Sequence, residues 1–250
     1  MIKTVLVTGA TSGIGEATAR LYAKNGHRLI ITGRRNDRLS LLKSELEERG
    51  CEVLSLNFDV RSNKEVEKHL KQMPSGWEIV DILVNNAGLA VGTTSIDDGE
   101  LDDWERMIDT NIKGLLYVSK CVIPHLKKSK CPHIVNISSI AGRETYKNGN
   151  VYCATKHAVQ SLSDAMRIDL LQFGIKVTSI CPGAAETEFS VVRYHGDQQA
   201  ADKVYENYDP LVADDIADTI VFATSRPNHV SISDLLITPS VQANTSHFLK

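Results

Sequence analysis

A tyrosine and a lysine four residues apart can move a proton if a helix carries them. Tyr152-Cys153-Ala154-Thr155-Lys156 has that spacing, and residues i and i+4 share one stripe of a helix. A phenol has a pKa of ~10, and lowering it to ~7 takes about 4 kcal/mol at 1.36 kcal/mol per unit. A lysine ammonium about 4 Å away, at an effective dielectric of ~20, supplies roughly that amount. Ser138-Ser139 stands just upstream, so a hydroxyl donor, a phenol and an ammonium could together exchange a proton with an alcohol or carbonyl oxygen. Taken alone, Tyr-x-x-x-Lys is common and reads equally well as a surface pair. The eight histidines show no metal-ligand spacing, and the five cysteines are scattered without a C-x-x-C pair. Neither a metal nor a disulfide framework is expected.

A second candidate lies near the start. Thr8-Gly9-Ala10-Thr11-Ser12-Gly13-Ile14-Gly15 follows a short apolar strand and opens a helical pattern. Glycines serve where the backbone turns sharply or approaches a pyrophosphate, and the helix start behind them offers free N–H groups to phosphate. The spacing G-x-x-x-G-x-G departs from the usual G-x-G-x-x-G, and an ordinary tight turn is the bland alternative. Its position in a strand–turn–helix unit favours a dinucleotide. The end of the second strand selects which one. Thr32-Gly33-Arg34-Arg35, with Arg38 a turn later, has arginines where an acid would accept the ribose hydroxyls of NAD. Arginines suit a 2′-phosphate, so NADP is expected, with Arg34 as first contact and Arg35 second. An acid introduced at Gly33 is expected to tilt the preference toward NAD.

Elements must bring these residues together. Strands are predicted over Thr4–Thr8, Arg28–Thr32, Glu52–Asn57, Ile79–Asn85, His133–Ser138, Lys176–Ile180 and Ile232–Thr238, most of them continuous apolar runs suited to burial on both faces. Helices are predicted between them over Ile14–Asn25, Asn36–Arg49, Asn63–Gln72, Leu101–Lys128, Ala154–Phe173 and Ala213–Thr224. The alternation implies an α/β fold: a single domain over 1–250, with a doubly wound parallel sheet of seven strands and helices on both faces. Glu186–Asp209 shows no clear period and is expected to be a substrate lid of about 186–209. In such a sheet the strand ends gather along one edge, where Asn85-Asn86-Ala87-Gly88, Asn111 after it, and Pro182-Gly183 would join Ser139 and Tyr152. The 250 residues are 42% hydrophobic and 24% charged, with a formal net charge of −3. That balance gives no electrostatic case for nucleic acid or an anionic membrane. With no long apolar run and no leader-like start, a soluble, cytoplasmic chain is expected.

The ordered set T-G-x-x-x-G-x-G, N-N-A-G, Asn, Ser and Y-x-x-x-K resembles the short-chain dehydrogenase/reductase family over essentially the whole chain. The resemblance implies a Rossmann-type fold and a catalytic tetrad of Asn111, Ser139, Tyr152 and Lys156. It implies a cofactor site drawn from Gly9, Thr11, Ser12, Gly13, Ile14, Gly15, Asp59, Val60, Asn86, Ala87, Gly88, Pro182, Gly183 and Thr187, joined by Tyr152 and Lys156. Within the family, Ile108–Leu115, Gly149–Tyr152 and Thr187–Asp197 look like the NADP-dependent 3-hydroxy acid dehydrogenases, which act on serine, allo-threonine and related acids. Such substrates need a cation beyond Ser139 and Tyr152, and Arg193 in the lid is the candidate, with Arg143 and Lys203 behind it. A 3-oxoacyl carrier-protein reductase is the nearest rival, although its usual C-terminal V-D-G-G-like ending is missing. A non-catalytic NADP-binding sensor is a rival of another class. Resemblance also implies a homotetramer, pairing through Leu101–Lys128 and Ala154–Phe173.

Overall fold

The computed structural model describes residues 2–249. Seven parallel strands form one sheet in the order β3-β2-β1-β4-β5-β6-β9. They are β1 (Thr4–Val7), β2 (Arg28–Gly33), β3 (Val53–Asn57), β4 (Ile82–Asn85), β5 (His133–Ile137), β6 (Lys176–Pro182) and β9 (Asp234–Ile237). The short strands β7 (Ala185–Glu186) and β8 (Leu211–Val212) pair separately. All seven predicted strands are present, within three residues of the expected ends.

Alternation along β1 and β2 sends side chains to two cores. Val5, Val7, Leu29 and Ile31 join Tyr22 of α1 (Gly13–Lys24), Leu39 and Leu42 of α2 (Asn36–Glu48), and Ile216 and Ile220 of α9 (Ala213–Thr224). Leu6, Ile30 and Leu83 face the other way, onto Val66 and Leu70 of α3 (Asn63–Leu70) and Val118, Val122 and Leu126 of α5 (Leu115–Leu126). Every strand residue of β1 and β4 is buried, which explains why these strands read as continuous apolar runs. The chain reverses direction across the sheet between β1 and β4, and this opens the crevice at the strand ends.

Three expectations shift. The predicted helix Leu101–Lys128 is α4 (Leu101–Ile108) and α5, joined by a π turn, Asp109–Gly114, that rotates Asn111 inward. A Cβ at Gly114 would meet Val60 Cγ2 at 2.8 Å, so only glycine lets the turn lie this close. The helix predicted over Ala154–Phe173 starts earlier: α6 is Asn150–Asp169 and includes Tyr152. The lid region is not featureless. It holds α7 (Glu188–Arg193) and α8 (Gln198–Lys203). Six residues are too few to show a period, but each start is capped: Thr187 Oγ1 accepts from Phe189 N at 3.2 Å and Asp197 Oδ1 from Ala200 N at 3.0 Å. His195 and Gly196, at φ 54° and 92°, end α7 in the left-handed region.

Candidate active site

A cavity of about 560 Å³ runs along the carboxyl edge of the sheet, from Arg34 and Asp59 at one end to Arg193 and Tyr146 at the other. At its first end lies the glycine loop. Gly9 sits at φ 66° and Gly13 at φ 53°, where L side chains are strained. A Cβ at Gly9 would also meet Ala87 Cα at 3.0 Å, and one at Gly15 would collide with Gly9 O and Asn86 Nδ2. Asn86 Nδ2 donates to Thr8 O (2.8 Å) and Gly9 O (3.2 Å), locking the loop to the end of β4. Ser12, at the N-cap of α1, caps with no side-chain bond; its hydroxyl accepts from Arg35 Nη2 at 2.7 Å instead. The first N–H groups of α1 are therefore left to the cavity, which Ser12, Gly13 and Ile14 border. These groups could receive an anion such as a dinucleotide pyrophosphate.

The arginines divide their work. Arg34 borders the cavity with an exposed guanidinium, 3.9 Å from Asp59 Oδ2, and Asp59 is itself held by Arg61 at 2.7 Å. Arg35 binds Thr11, Ser12 and Glu188. Arg38 does not border the cavity; its Nη1 reaches Glu188 Oε1 at 2.5 Å.

At the reacting end, Tyr152, Lys156 and Ser139 are all buried and line the cavity together with Ala87, Gly88, Pro182, Gly183 and Thr187. Ser139 Oγ accepts from Ala141 N at 3.1 Å and donates to Pro182 O at 3.3 Å, the second a long bond that a substrate oxygen could replace. Lys156 Nζ donates to Ile137 O at 2.9 Å and lies 5.8 Å from the Tyr152 ring centre. Burial pushes the lysine pKa down to about 8. The expectation that Lys156 brings the phenol toward neutrality is not met in the protein alone. Burial, with Tyr146 adding to it, pushes Tyr152 above its ordinary value, while Ser139 and Arg193 act against that rise. Desolvation is the largest influence, and Lys156 is not among the groups that offset it.

Asn111 stands behind the cavity wall. Its Oδ1 accepts from Leu89 N (2.9 Å), and its Nδ2 donates to Leu89 O (2.8 Å) and Thr155 Oγ1 (3.0 Å). It ties the loop after β4 to α6 and so sets the distance between Gly88 and Tyr152. Gly15, likewise, packs behind the loop instead of bordering the cavity.

Arg193 closes the far end. Its Nη2 donates to Tyr146 Oη at 2.8 Å, its guanidinium carbon is 5.9 Å from the Tyr152 ring centre, and its buried Nε has no partner. The reserve candidates are elsewhere. Arg143 pairs with Asp234, and Lys203 is not among the cavity residues. Sequence reasoning missed Tyr146, Tyr205 and Tyr208 of the 186–209 segment, and three tail residues, Gln242, Thr245 and Phe248, that wall the cavity. Phe248 packs tilted against Tyr208 with ring centres 5.2 Å apart. No periodicity or motif marks these positions; only chain folding brings the tail back. Among the described residues no cluster of three or more potential metal ligands occurs, and no helix is long and apolar enough to cross a membrane.

Residues 3–197 match the short chain dehydrogenase family. Serine 3-dehydrogenase of Agrobacterium fabrum (strain C58) is 45% identical, over 97% of this chain and 96% of that protein. The NADP-dependent 3-hydroxy acid dehydrogenase of Salmonella typhi is 44% identical over 96% of each. Among solved structures, the closed form of serine dehydrogenase complexed with NADP+ superposes with a TM-score of 0.93 at 41% identity, covering 99% of both chains.

Proposed function

As a member of the short chain dehydrogenase family, this chain is an NADP-dependent dehydrogenase, and we propose that it acts on small 3-hydroxy acids such as serine, allo-threonine or 3-hydroxypropionate, or on the matching semialdehydes. The observation that carries the substrate class is Arg193, a half-buried cation with an unpartnered Nε, facing the cavity beyond Tyr152. A 3-hydroxy acid holds its carboxylate two bonds from the carbinol carbon, and a planar guanidinium can meet both oxygens. Tyr146 fixes the guanidinium by accepting one of its N–H groups.

The remaining roles are those the family resemblance implies, and the position of these residues along the cavity supports them. Arg34, with Arg35 beside it, receives the 2′-phosphate; the cradle at Ser12–Ile14 receives the pyrophosphate; Asp59 and Val60 border the adenine; Asn86 and Ala87 border its ribose, and Thr187 the nicotinamide amide. When bound, the nicotinamide carries the hydride and, oxidised, brings a positive charge. Tyr152 gives or takes the hydroxyl proton, Ser139 donates to the substrate oxygen in place of Pro182 O, and Lys156 holds positive charge beneath the phenol. The segment 186–209 is the lid. Exposed Leu101, Ile168 and Leu171 on the α4 and α6 sides support association into a homotetramer, which sedimentation would check.

Initial rates test the substrate reading. Arg193→Leu should lower kcat/KM for serine or 3-hydroxypropionate about 10- to 150-fold, the equivalent of a charge-assisted hydrogen bond worth about 1.5–3 kcal/mol. A small neutral alcohol should be nearly unaffected. Equal losses on both would give Arg193 a purely structural role, and preference for an acetoacetyl thioester would make the chain a 3-oxoacyl reductase.

A further inference from the structure

Glu188 follows Thr187 at the start of α7 and divides its carboxylate between two arginines of the opposite rim. Oε2 accepts from Arg35 Nη1 at 2.8 Å and Oε1 from Arg38 Nη1 at 2.5 Å. Arg35 also donates to Ser12 Oγ and Thr11 Oγ1, so the guanidinium ties the lid to the phosphate loop. The same end of the lid touches the loop directly: a Cβ at Gly13 would lie 3.3 Å from Thr187 Cβ. Thr187 and Glu188 on one side, and Gly13 and Arg35 on the other, thus meet over the channel between the glycine loop and the end of β6.

Arg38 is the informative residue. Its position in the sequence suggests a cofactor contact, yet it stands outside the cavity, and Glu188 is the side chain it reaches. Arg34 is left as the open guanidinium at the adenosine end, its nearest carboxylate 3.9 Å away.

We propose that Glu188, gripped by Arg38 and Arg35, is a positioning residue that fastens α7 across the bound dinucleotide and slows its release, and that Arg38 serves this fastening and not the reading of the 2′-phosphate. A link of this kind acts on the lid, so it delays NADP(H) and NAD(H) alike. An arginine reading the 2′-phosphate would distinguish them.

Stopped-flow displacement of NADPH, and separately of NADH, from the whole enzyme separates the two. Arg38→Gln should speed release of both nucleotides about two- to fivefold, the rate equivalent of one exposed ion pair, and Glu188→Gln, which also removes the pair to Arg35, by at least as much. The double variant should be no faster than Glu188→Gln alone, because that change already removes the link Arg38 makes. Glu188→Asp should restore part of the delay. Hydrogen exchange of the cofactor-free enzyme gives a second readout: amides 188–193 should exchange faster in both single variants. Arg38→Gln weakening NADPH alone, with Glu188→Gln slowing NADPH release by removing a competing anion, would overturn the proposal. Unchanged release and unchanged exchange in α7 would overturn it equally.

Discussion

Lys156 is buried with a single hydrogen bond, to Ile137 O, and its pKa falls from 10.5 to about 8. The folded protein therefore binds this proton less tightly than the unfolded chain does. Stability rises with pH between about 8 and 10.5, and below about 8 the full penalty applies, on the order of 3 kcal/mol at 1.36 kcal/mol per unit. Replacing the ammonium by an apolar side chain removes the penalty but orphans Ile137 O. Lys156→Met should accordingly stabilise the cofactor-free protein by about 1–2 kcal/mol at pH 7, less by pH 9.5, in urea unfolding. The same variant should be nearly inactive. Tyr152→Phe should be inactive for a different reason, losing at least ~10²-fold in kcat with the proton donor itself. A lysine variant no more stable than the wild type at pH 7 would show that the buried charge has other compensation.

At the scale of elements, β2 ends beside Arg34 and Arg35, the residues proposed to choose the cofactor. The sequence suggests that an acid at Gly33 would turn the preference toward NAD, but a Cβ there would meet Thr11 Cγ2 at 2.5 Å. Such a variant disturbs the phosphate loop as well as the charge, so Arg34 is the cleaner probe. Arg34→Ala should weaken NADP by about 1.5–3 kcal/mol and leave NAD almost unchanged in direct titration; equal weakening would place the 2′-phosphate elsewhere. The strands and the glycine loop were legible because buried parallel strands and positive-φ turns leave strong local marks, as at Val5–Val7 and Gly9. The π turn around Asn111 was hidden, since the buried positions Met107, Asn111, Leu115 and Val118 keep ordinary helical spacing through it. Short helices of six residues, α7 and α8, show their caps but no period. Arg38 stands outside the cavity against Glu188, because proximity along α2 does not say which way a side chain reaches.

Across the whole molecule, the cavity is completed by parts far apart in sequence: the loop after β1, the turn after β5, the lid, and a tail whose Phe248 packs on Tyr208 of the lid. The six residues of α7 span this assembly. Glu188 at one end meets the arginines beside the phosphate loop, and Arg193 at the other meets Tyr146 beside Tyr152. If α7 moves as one body, the group proposed to hold the substrate is in place only when the proposed strap over the dinucleotide is also down. Under the proposed roles, the nucleotide should enter before the substrate and leave after the product, and product-inhibition patterns should be those of a compulsory sequence with the cofactor first and last.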